Sequence, residues 1–150
     1  MRIENQVVSL ELAKKLKELG IKQESIFVWE YYDEQCYGVK YIPYAVVPDS
    51  FNKFQLYSAF NVAELMGLLP AFIDIKRNEP FNNFGLHIQK MSALNIQYIA
   101  RYVSDTIAGE NIGNPHYQLQ CNMKSFSESL ADCLALLLIR LIEEGLFKHE

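Results

Sequence analysis

Residues 9 to 30, "SLELAKKLKELGIKQESIFVWE", admit two readings that lead to different proteins. One is the paired helices of a DNA-binding helix-turn-helix. The other is a single amphipathic helix followed by a β-strand. The first half is helical on either reading: Ser9 is a good N-cap, Leu10, Ala13, Leu16 and Leu19 recur every three residues, and Lys14, Lys15, Lys17 and Glu18 lie between them. Gly20 stands where a left-handed C-cap is wanted, and Ile21 can fold back on the last turn. The second half separates the two. A recognition helix offers polar or basic side chains to the major groove. Residues 22 to 34, "KQESIFVWEYYDE", hold one Lys against four acids, a charge of −3, and are dense in β-branched and aromatic side chains that suit a pleated surface. We therefore read a helix and a strand.

Working outward, "CYGVKYI" follows the polar stretch Asp33, Glu34 and Gln35, which predicts a hairpin. Residues 42 to 57, with Pro43, Pro48, Asp49, Ser50 and Asn52, predict a loop with short extended pieces. In "FNVAELMGLLP", Asn61 can cap a short helix, Glu64 can reach back to it, Phe60 can pack on Leu65, and Pro70 closes it. Beyond the loop "RNEPFNN", three segments have strand character: "FGLHIQKM", "IQYIARYVS" and "HYQLQCNM". The tail "SFSESLADCLALLLIRLIEEGLF" opens with Ser125 and Glu128 at capping-box spacing and stops at Gly145, which predicts a helix of about twenty residues. Asp132 and Arg140 interrupt its apolar run, and Glu143 and Glu144 end it, so it suits a buried spine rather than a membrane span.

The expected fold class is therefore α+β in two layers: an antiparallel sheet of about five strands, the long C-terminal helix across it, and two shorter helices. At 150 residues the chain fits a single domain able to bury roughly 70% of its unfolded surface. Half of the residues are apolar and 21% are charged, a globular composition.

Net charge is −4, and the signs are scattered: residues 1 to 24 hold five basic and four acidic groups, residues 86 to 150 five and seven. Nucleic-acid binders draw most of their affinity from Lys and Arg on phosphates, so no general nucleic-acid partner is expected. A small local site is compatible with this balance. "MRIENQVVSL" lacks the cationic stub and apolar run of a secretion signal, and Cys36, Cys121 and Cys133 are odd in number and far apart. The expectation is a cytoplasmic protein with reduced thiols.

Candidate chemistry is sparse. His116 and Cys121 are five apart on one strand and point to opposite faces, so they cannot share a metal without a bulge. His87, between Leu86 and Ile88, reads as a solvent-facing strand residue. "AGENIGNPHY" lacks the ending of a P-loop and reads as a turn. Cys133 sits among Ala131, Leu134 and Ala135, where burial would raise its pKa and silence it as a nucleophile. The acid pairs Asp33 with Glu34 and Glu143 with Glu144 read as solvated ends, not as a general acid and its partner. No catalytic residue, cofactor or metal site is expected. What remains is the aromatic hairpin. With Ile26, Val28 and Tyr32 turned to the helices, Phe27, Trp29 and Tyr31 would face outward with Tyr37 nearby, and a patch of that size suits a protein partner or a second copy of the chain.

Three segments carry a resemblance: "VVSLELAKKLKELGIKQESIFVWE" at 7 to 30, "YSAFNVAELMGLLP" at 57 to 70 and "ADCLALLLIRLIEEGLF" at 131 to 147. Together they resemble a group of small bacteriophage and prophage-type proteins of gut bacteria to which no activity is assigned. The resemblance does not extend to residues 71 to 124. It implies a mobile-element origin and transfers no site residue. Two functions follow as expectations: a non-catalytic accessory protein acting through protein contacts, self-association included, or a small enzyme or ligand binder with a pocket of its own.

Overall fold

The computed structural model of the chain describes residues 3–33, 36–41, 56–74, 83–91, 98–104 and 124–147. After a 3-10 turn at Ile3–Asn5 come α1 (Leu10–Glu18), β1 (Phe27–Asp33), β2 (Cys36–Tyr41), β3 (Tyr57–Ser58) and α2 (Val62–Leu68). Then follow β4 (Phe72–Asp74), β5 (Asn83–Lys90), β6 (Tyr98–Ser104), β7 (Lys124–Ser127) and α3 (Leu130–Glu143). Because residues 27 to 33 are a strand, the opening stretch is a helix and a strand, and its second half is no recognition helix. No helix among the described residues is long and apolar enough to cross a membrane.

The α+β class holds, but the single five-stranded sheet does not. The strands form two antiparallel sheets, one ordered β2-β1-β3 and one ordered β4-β5-β6-β7. The cause lies in the chain after β3. Ala59 donates its N–H to the Phe27 carbonyl, continuing the pairing with β1, and then Phe60 accepts from the Val8 N–H and Asn61 bridges to Val7. The N-terminal segment Val7–Val8 thus takes the place where another strand would add, and α2 begins at once.

Local signals predicted the helix ends well. Gly20 and Gly145 both adopt positive φ, 85° and 69°, which the absence of a Cβ permits. Asn61 Oδ1 accepts from the Glu64 N–H at 3.0 Å, and Glu64 Oε2 accepts from the Asn61 N–H at 2.8 Å, a complete capping box. Phe60 and Leu65 are both buried in the core, as the staple requires.

The start of the last helix differs from the expectation. Residues 124 to 127 pair with β6, with Ser125 opposite Ala100, so Ser125 belongs to a strand. Its hydroxyl donates to the Cys133 carbonyl at 2.6 Å. Ser129 caps the helix instead, accepting from the Asp132 N–H at 3.4 Å, and α3 is 14 residues long rather than about twenty. Both serines stand three residues before an acid; strand pairing decides between them.

α3 is the spine of the core. Ala131, Cys133, Leu134, Ala135, Leu137, Leu138, Ile139 and Leu141 are all buried. They pack with Ala13 and Leu16 of α1, Leu65 of α2, and Phe84, Ala100 and Tyr102 from the inner face of the four-stranded sheet. α1 runs beside α3 in the same direction: the Ser9 N–H donates to Asp132 Oδ1 at 2.7 Å at one end, and Lys15 pairs with Glu143 at 2.7 Å at the other.

The expected third strand of the meander, residues 116 to 123, lies outside the described residues, as do "AGENIGNPHY", His116 and Cys121. So does most of the loop 42 to 57. Its end is described: Leu56 is buried, and Tyr57–Ser58 form β3.

Candidate functional site

Register fixes the two faces of the three-stranded sheet. Phe27 is opposite Tyr41, Trp29 opposite Val39 and Tyr57, and Tyr31 opposite Tyr37, which gathers these residues on one face. Val28, Glu30, Gly38, Lys40 and Ser58 share the other. The rings form a pair and a run of three: Phe27 to Tyr41 at 5.5 Å, and Tyr31 to Tyr37 at 5.0 Å with Tyr37 to Tyr57 at 6.3 Å between centroids, all tilted. Tilted pairs at these separations are the favoured arrangement for aromatic quadrupoles.

The expected inward turn of Val28 holds, but the expected outward turn of Trp29 does not. The Trp29 indole packs against the core, and its Nε1 donates to the Val8 carbonyl at 2.9 Å. The helix on this face is α1. Lys14 lies 5.0 Å above the Tyr37 ring and 5.5 Å from that of Tyr57, and Lys17 lies 5.0 Å from Tyr57. Lys17 also donates to the Leu56 carbonyl at 3.3 Å, and burial draws its pKa down. Ile26, expected to turn inward, is 45% exposed, while Val28 is fully buried. The Tyr32 side chain lies outside the described residues.

The face therefore grades from core to surface. Trp29 forms the floor, Phe27 and Tyr37 are half-buried, and Tyr31 and Tyr41 are 41% and 54% exposed. Phe27, Trp29, Tyr31 and Tyr37 do lie together, with Tyr41 and Tyr57 joining them. Period-two alternation already put Phe27, Trp29 and Tyr31 on one side; the side that α1 would cover was a long-range matter.

A polar hub holds this sheet. Besides capping α2, Glu64 accepts from the Ser25 hydroxyl at 2.8 Å and from the Ile26 N–H at 3.1 Å. Gln23 spans the same junction, its Oε1 accepting from the Ser58 N–H at 2.8 Å and its Nε2 donating to the Ile21 carbonyl at 2.9 Å. One carboxylate thus sets both the start of α2 and the start of β1.

A second feature is a cavity of about 910 Å³ where the helix starts converge, lined by Ser9, Asn61 and Ser129 with Glu4, Glu128 and Asp132. Its innermost acid is already engaged, since Asp132 accepts the Ser9 N–H. An internal carboxylate thus answers the positive end of α1, and the acids beside it disfavour an anionic ligand. The sequence did not signal this cavity; its walls come from segments more than a hundred residues apart.

The other candidates resolve simply. Cys133 is buried, its thiol 3.4 Å from the Ser125 carbonyl, and burial pushes it up from 9.0. His87 is exposed, as are Glu143 and Glu144. No group of three or more His, Cys, Asp or Glu among the described residues could hold a metal ion. The Cys36 side chain and Glu34 lie outside the described residues. Comparison with protein-family models, curated proteins and solved structures found no match.

Proposed function

We propose that the chain is a non-catalytic accessory protein of bacteriophage or prophage type that acts by contact with another protein, and that self-association through the tyrosine face is its most accessible form. One observation carries this reading: Tyr31 and Tyr41 remain well exposed on an aromatic sheet face whose floor, Trp29, is fixed to the core. Tyrosines on a rigid support bury much area for few frozen torsions, which suits them to interfaces. Among the described residues the strand that carries Tyr37 and Tyr41, β2, is terminal in its sheet order, where main-chain groups are placed to pair with an added strand. The phage-type assignment rests on the three sequence segments quoted above.

Sedimentation velocity over a range of concentrations tests the contact. A concentration-dependent rise in sedimentation coefficient that Tyr31→Ser with Tyr41→Ser removes, while the circular dichroism spectrum is unchanged, is the expected result. Dimerisation that persists in the double variant would move the interface elsewhere.

The cavity at the helix starts favours a second reading, a small-ligand binder or enzyme. Its acids and its size, within the range of small-molecule pockets, suit a cationic or hydrogen-bond-donating ligand. Thermal-shift screening with small amines discriminates this reading, provided that Glu128→Gln abolishes any shift.

A further inference from the structure

The four-stranded sheet turns Phe84, Ala100, Tyr102 and Ser125 toward the core, so the residues between them stand on the opposite, outer face. At one register of that face His87 of β5 is the direct partner of Arg101 of β6, and Arg101 is in turn the partner of Lys124 of β7. Two basic residues and a histidine occupy a single row across three neighbouring strands. Like charges placed directly opposite weaken an antiparallel pair. The chain has 18 acidic residues against 14 basic ones, yet no carboxylate occupies this row among the described residues.

Arg101 adds a second cost. Its Nε is out of contact with solvent and has no hydrogen-bond acceptor. A donor left in that state forfeits its hydration without return. Two local rules are thus broken at one place, which is where a bound group that repairs both is to be sought. We propose that this row is a binding site for a phosphate group, gripped by the guanidinium of Arg101 with the imidazole of His87 beside it. The guanidinium fork matches the oxygens of a phosphate two at a time, and an anion between the strands turns the like-charge row from a penalty into a cradle. The next row of the same face pairs Ile99 with Phe126, which is 42% exposed, so an apolar substituent on the phosphate has a surface to rest on. The site is separate from the tyrosine face and independent of its role.

Amide chemical-shift titration of the full chain with inorganic phosphate, and in parallel with phenyl phosphate, tests the proposal. Saturable shifts at His87, Arg101 and Lys124 are expected, weakened roughly tenfold in Arg101→Gln and unchanged in Lys14→Gln. Tighter binding of phenyl phosphate, with added shifts at Ile99 and Phe126, identifies an organic phosphate as the better ligand; equal binding identifies the free anion. Shifts that stay linear, that survive Arg101→Gln, or that cluster at Lys14 and Lys17 overturn it. Should Arg101→Gln disturb the fold, Arg101→Lys keeps the charge without the fork, and wild-type affinity in that variant equally contradicts the bidentate grip.

Discussion

The two sheets of this protein are held by different forces. The four-stranded sheet lies on α3, and Phe84, Ala100, Tyr102 and the leucines of the helix exclude water from one another. The three-stranded sheet is fastened by directed polar contacts: Glu64 to Ser25 and Ile26, Gln23 to Ser58, and the Trp29 indole to the Val8 carbonyl. The first region is held by the apolar side chains that its inner face and α3 bury against each other. The second is latched by hydrogen bonds and leaves tyrosines at the surface, and a surface that need not supply cohesion can serve contact.

The sharpest way to break this contrast is at α3. Leu137 is fully buried, so Leu137→Ala is expected to cost about 2 to 5 kcal/mol in urea unfolding, as transfer and cavity terms add. A loss under about half a kcal/mol would mean that the helix is not the spine.

Glu64→Ala is expected to cost about 1 to 2 kcal/mol, less than the core substitution, because it removes at once the acceptor of the Asn61 and Ile26 N–H groups and one of the two acceptors of the Ser25 hydroxyl, which keeps the Ala59 carbonyl. Its effect should concentrate in the hairpin. Amide shifts that move in β1 and β2 and leave α3 in place support the polar latch; uniform shifts argue against it.

How far each region could be read from sequence follows the same division. Capping boxes, αL glycines and helical periodicity act within a few residues, so α2 and the ends of α1 and α3 were legible from Asn61, Glu64, Gly20 and Gly145; Ser9 stands at the start of α1 as expected, but its side chain makes no capping hydrogen bond. The strands β5 and β6 were legible from their composition. The start of α3 was not, because Ser125 and Ser129 offer equivalent local caps and only pairing with Ala100 assigns Ser125 to a strand. The division into two sheets was equally hidden, since it depends on Val7 and Val8 meeting Asn61 and Phe60. β4 is three residues long, too short for any period to show. At the candidate site, alternation grouped Phe27, Trp29 and Tyr31, but which side α1 covers depends on Lys14 and Lys17 reaching Tyr37 and Tyr57.

A smaller effect sharpens the description of the core. The folded chain holds Cys133 as a neutral thiol with its pKa above 9.0, whereas the unfolded chain ionises more readily. This contribution is complete below 9.0 and is lost as pH rises past it toward the folded value. The fall in stability between about pH 8 and pH 10 should therefore be steeper in the wild type than in Cys133→Ala. Equal slopes would place the thiol in contact with water.

The smallest effect is expected at the rim. Lys15 and Glu143 are about half exposed, so Lys15→Ala should change stability by less than about half a kcal/mol, and less still at high salt. A larger loss would show that α1 is held to α3 by charge as well as by Leu16 and Ala13.

Hydrogen exchange at low and high protein concentration measures both regions at once. α3 and β6 should exchange only through global unfolding, at rates independent of concentration, because their protection is internal. The amides of β2, Cys36–Tyr41, should exchange faster in the dilute protein and gain protection as concentration rises and the tyrosine face is covered. Protection of β2 that already equals that of α3 in dilute solution and does not change on concentration would contradict both the polar latch and self-association through this face.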